Sequence, residues 1–173
     1  MRTITVRSLS MLKEREVMTI RAVTMIIFTM CNAGSLMAAV VSGPGMTQLK
    51  QYVQAKPTEI NNYKSLQAWL NWGITNAASW DTAKAQMLGQ LKTYLMAVWN
   101  GRVMTKAALV DSIAAHGASQ ADNLVLQFLQ QPDMASATNF FENKVIDQAA
   151  FVKVCQQALQ FIQDILASTA PGN

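Results

Sequence analysis

The apolar positions of this chain follow two patterns. From Ala22 to Val41 the chain carries no charge, and from Thr47 onward apolar residues recur every three or four positions between polar ones. The first pattern gives a segment that is apolar on every side. The second builds helices that each have one apolar face. Strand-like alternation is nearly absent, so the chain reads as all-α.

The stripes and their punctuation predict where the helices lie. A short helix runs from Thr47 to Lys56 and breaks at Pro57. Thr58 caps the next, whose face is Ile60, Tyr63, Leu66, Leu70, Ile74 and Ala77. Ser79 caps a helix with the stripe Trp80, Ala83, Met87, Leu88, Leu91, Leu95 and Val98, and Asn100-Gly101 closes it. Thr105 opens a shorter helix through Leu109, Val110, Ile113 and Ala114, which ends at His116-Gly117. Ser119 with Asp122 resembles a capping box before Leu124, Leu126, Phe128 and Leu129, and that helix stops before Pro132. Residues 133–144 read as helical. Asp147 caps the last and longest helix, with a hydrophobic staple expected between Ile146 and Phe151. The expected fold is an irregular bundle of six or seven amphipathic helices over residues 47–168. Residues 39–46 read as a linker and 169–173 as a frayed tail.

The uncharged run gives the clearest indication of destination. Read from Met18, a basic start at Arg21 leads into Ala22–Met30, then into smaller residues ending at Ala38. That order is the order of a secretory signal peptide, with a cut expected after Ala38. Residues 1–38 are therefore read as prefix and signal peptide, with Met18 an alternative start. The same run, at about 20 residues, is long enough to serve as a retained anchor. Membrane contact is expected only through residues 22–41, and only if they are not removed. The expected localisation is periplasmic or secreted.

Charge removes one class of partner. The whole chain is +4, but residues 46–173 hold nine basic residues against eight acidic ones. Phosphate neutralisation dominates nucleic-acid affinity, so a nearly neutral body with scattered lysines predicts no nucleic-acid binding.

Candidate chemistry is sparse. The chain has one histidine, His116, placed where an imidazole suits a helix C-terminus. Cys155 lies in an apolar stripe and reads as a buried, inert thiol. No metal site is expected, because His116 and Cys155 lack companions at ligand spacing. No nucleotide loop or nucleophile elbow occurs, so no cofactor and no catalytic residue are assigned. Glu142, beside Phe140 and Phe141, and Glu59 are the acids considered for a peptidoglycan-directed hydrolase. A helical carrier of an apolar small molecule, with a cavity lined by Met87, Phe128 and Phe161, is the other alternative. The tryptophans suggest binding instead. Trp69 and Trp72 share a side of one helix, but Trp72 falls off the apolar stripe. Trp72, Trp99 and Arg102 are the expected partner-binding residues, of types enriched at interface hot spots. The leading expectation is an exported, non-enzymatic helical protein that binds other envelope proteins, as a soluble part of a secretion or conjugation assembly.

Overall fold

Every helix in the computed structural model buries a stripe against its neighbours. The structure describes residues 40–98 and 102–172, with the side chains of 97, 98 and 102–104 outside that description. The leader, its expected cut at Ala38, and the expected stop at Asn100-Gly101 also lie outside it. Seven helices are described: α1 (Pro44–Ala55), α2 (Glu59–Thr75), α3 (Trp80–Val98), α4 (Arg102–Ala115), α5 (Leu124–Leu129), α6 (Met134–Lys144) and α7 (Gln148–Ser168). A single 3-10 turn, Ala77–Ser79, joins α2 to α3. The described residues contain no strand. None of their helices is long and apolar enough to cross a membrane.

The longest helix, α7, is the centre of the packing. Phe151, Val154, Cys155, Ala158, Phe161, Ile162 and Ile165 are all buried along it. It packs chiefly on α2 and also touches α1, α4 and α5. From α2 come Tyr63, Leu66 and Leu70, and from α3 come Trp80, Met87, Leu91 and Leu95. These belong to one continuous core with α5 and α6, so no helix is stable by propensity alone. Phe151 anchors the aromatic part, with its ring 5.1 Å from Trp80 and 6.4 Å edge-on to Trp69.

The second main contact is α1 on α4, and a glycine sets its closeness. A Cβ at Gly45 would lie 2.6 Å from the backbone nitrogen of Ala108. No side chain fits there, so glycine lets the two backbones approach. Met46, Leu49 and Val53 then meet Ala108 and Leu109 in the core.

Local signals set several helix ends. Asp133 accepts the Ser136 amide at 2.7 Å, and Asp147 accepts the Ala150 amide at 2.7 Å. Gly117 adopts φ 62°, and the Ala118 amide reaches back to the Ile113 carbonyl at 3.1 Å. That left-handed residue closes α4 as expected.

Other expectations are corrected. Ser119 caps nothing; Asn123 is the cap of α5 and accepts the Leu126 amide at 2.9 Å. The loop after α4 runs on to Asn123, four residues beyond Ser119, so Asn123 is the residue next to the first free amides of α5. Thr105 is buried within α4, which begins three residues earlier. Thr58 stands before α2 with helical φ/ψ and makes no side-chain cap. Ser79 ends the 3-10 turn instead of capping α3 with its hydroxyl. The Ile146–Phe151 staple does not form, since Ile146 is 59% exposed while Phe151 is fully buried. Residues 41–46 are not loose. Val41 and Met46 are buried, and the Val41 amide donates to Ser168 Oγ at 3.3 Å.

Candidate functional site

Two places in the structure carry chemistry beyond packing. The first is the aromatic flank on α2. Trp69 is half-buried, and its indole Nε1 donates to Gln90 Oε1 at 2.6 Å. Its ring lies 5.4 Å from Tyr94 and 6.2 Å from Trp72. Trp72 itself is 44% exposed, which makes it one of the few large apolar side chains on the described surface. The off-stripe position noted in the sequence explains this. Three residues along the helix from Trp69, Trp72 rotates past the edge of the buried face. Trp99 and the side chain of Arg102 lie outside the described residues.

The second place is a polar cluster inside the α4–α7 contact. Asp164 sits on the buried face of α7 and is 0% exposed. Its Oδ2 accepts the Ser112 hydroxyl at 2.5 Å and lies 2.8 Å from His116 Nε2. Gln160, one turn earlier, donates Nε2 to Oδ1 at 3.4 Å. An isolated buried carboxylate costs several kcal/mol, and these donors offset that cost. A carboxylate only accepts, so the hydrogen on Nε2 points at Asp164. His116 is at the end of α4, as its position suggested. Its partner, however, is a side chain of α7 and not the helix terminus.

Ser112, His116 and Asp164 are the residue types of a hydrolytic triad, but their order differs. In a triad the histidine stands between serine and acid and takes the serine proton. Here the acid stands between the other two, and the serine hydrogen is already committed to it. The arrangement ties two helices together and does not activate the serine.

Beside this cluster opens a pocket of about 290 Å³. Leu109 and Ile113 form its apolar lining, with His116, Asp122, Gln156 and Gln160 among the polar groups. Gln157 fixes the loop that forms one wall. Its Oε1 accepts the Leu124 amide at 2.9 Å, and its Nε2 donates to the Asp122 carbonyl at 3.1 Å. Sequence reading missed this site. The available signal was Asp164 itself, an acid three residues from Phe161 on an otherwise apolar face.

The two glutamates considered for catalysis behave as surface groups. Glu142 pairs with Lys92 at 3.4 Å, and both are partly or largely exposed. Glu59 accepts from Asn62 at 3.2 Å in the first turn of α2. Neither lines the pocket. Met87, Phe128 and Phe161 are packed in the core. Cys155 is buried, which pushes its thiol pKa up to about 12 and removes the nucleophilic thiolate at neutral pH. Among the described residues no cluster of three metal-ligating side chains occurs.

Comparison with known proteins gives no match among family models, curated proteins or solved structures.

Proposed function

We propose that this is an exported helical protein that acts by binding other proteins of the cell envelope, without catalysis of its own. The observation that carries the proposal is Trp72. It is a large aromatic side chain, 44% exposed, resting beside a Trp69 that Gln90, Tyr94 and Phe151 hold in place. A rigid aromatic anchor loses little conformational freedom when a partner covers it, which favours binding. The uncharged run before residue 41, with its basic start and small-residue end, supports export to the periplasm or beyond. The near-neutral body supports a protein partner over a nucleic acid. A place in a secretion or conjugation assembly is consistent with export and with the small helical body.

The test is recovery of a partner by cross-linking in the native envelope, comparing the natural chain with Trp72→Ala. The expected outcome is one cross-linked product that Trp72→Ala weakens at least tenfold, about 1.4 kcal/mol or more, while the melting temperature of the chain is unchanged. Equal recovery by both chains would remove Trp72 from the contact.

A further inference from the structure

The pocket beside Asp164 is independent of the aromatic flank, and its lining carries a carboxylate and an imidazole but no lysine or arginine. Its ionisable lining groups are His116 and Asp122. Asp164, directly behind His116, adds a second carboxylate in a buried position. The Asp122 carboxylate makes no bond to another described residue; only its backbone carbonyl is used, by Gln157. The His116 ring is committed through Nε2 to Asp164, and its side chain remains 27% exposed. That leaves Nδ1 as an acceptor whenever the ring is neutral. Gln156 and Ser119 add further side-chain oxygens along the same lining. Leu109 and Ile113, buried by the fold, also line the pocket and present carbon only.

We propose that this pocket binds an alkylammonium group, supplied by a small polyamine or by a lysine side chain of a partner. The methylenes rest on Leu109 and Ile113, and the ammonium donates to the Asp122 carboxylate and to His116 Nδ1. Each part of the ligand meets a complementary part of the site. An ammonium has three donors and no acceptor, which suits a lining of carboxylate, imidazole and amide oxygens. An anion would be repelled by the Asp122 carboxylate, and a neutral alcohol would form no charge-assisted hydrogen bond with it. The volume, about 290 Å³, is at the small end of ligand sites and accommodates a short alkyl chain.

His116 is the only histidine of the chain, so its ring Cε1–H gives a single proton resonance that reports on the pocket. The experiment titrates the full chain with butylammonium, 1-butanol and butyrate in turn, at fixed pH and ionic strength. The expected result is a saturable shift of that resonance with butylammonium, with Kd on the order of millimolar as befits so few atoms. Butanol and butyrate produce no saturable shift. Asp122→Asn weakens the butylammonium response about tenfold, the size of one charge-assisted hydrogen bond. Asp122 is exposed and caps no helix, so this variant keeps the fold and an unchanged melting temperature verifies it. Spermidine and an acetylated Ala-Lys-Ala amide then separate the two sources by which of them binds more tightly. The absence of a saturable shift with butylammonium, or an equal shift with butanol or butyrate, overturns the proposal. So does an undiminished response in Asp122→Asn.

Discussion

Asp111 Oδ2 accepts the backbone amide of Met46 at 2.8 Å, across a sequence separation of 65 residues. The start of α1 has glycine at its cap position and proline in its first turn, and no cap from its own side chains. Asp111 on α4 supplies the missing acceptor. It also brings a negative charge to the positive end of the helix dipole. Together with Gly45, it fixes how α1 sits on α4.

Replacing Asp111 with alanine removes both the hydrogen bond and the charge. The expected cost is about 1–2 kcal/mol of stability, measured by urea unfolding. Asp111→Asn keeps an acceptor and is expected to recover part of that. Gly45→Ala acts on the same contact by steric overlap with Ala107 and Ala108, and is expected to cost more than Asp111→Ala.

His116→Ala leaves the Asp164 carboxylate buried with one strong partner fewer. Removing one member of a buried pair is expected to destabilise the chain by about 3 kcal/mol. His116→Gln retains a donor near the same place and is expected to cost less. Equal losses from both variants would show that the imidazole contributes packing and not its bond to Asp164.

Trp72→Ala and Trp69→Ala separate surface from core on one helix. The half-buried Trp69 packs against Tyr94 and Phe151 and holds Gln90, so its truncation is expected to cost about 3 kcal/mol. Trp72→Ala is expected to change stability by less than about 1 kcal/mol, since its ring is largely at the surface. Thermal unfolding of the two variants, run side by side, checks the difference.

Burial raises the pKa of Cys155 from its ordinary 9.0 to about 12. A raised folded-state pKa means the contribution to stability is whole below the unfolded value and fades above it. Stability is therefore expected to fall as pH rises from about 9 towards 12. Tyr63, whose phenol is also raised, first by burial and then by Glu59, acts in the same direction at higher pH. Below pH 8 the native thiol is expected to resist iodoacetamide and to react once urea unfolds the chain. Rapid alkylation of Cys155 in the native protein, located by peptide mapping so that it is told apart from Cys31, would contradict the burial of α7.

The exported form is expected to begin near Ala39. N-terminal sequencing of the chain recovered from its final compartment checks this, and a form that keeps residues 22–38 would indicate an anchor.

The helices, the cap at Asp147 and the stop at Gly117 were legible in the sequence because they depend on neighbours in the chain. Asp133 and Asp147 cap amides three residues away, and Gly117 closes α4 through bonds within one turn. The stripes of α2, α3 and α7 likewise follow from a period of three to four residues. Where local signals competed, the sequence alone chose wrongly: Ser119 and Asn123 both offer a side-chain oxygen, and only the path of the loop selects Asn123. The site was decided by tertiary structure. Ser112 and His116 lie 52 and 48 residues from Asp164, and Met46 lies 65 from Asp111. Val41 meets Ser168 across 127. No periodicity encodes such pairings. They exist because burying apolar faces against one another, α4 on α7 and α1 on α4 among them, forces the polar groups caught in those contacts to satisfy one another.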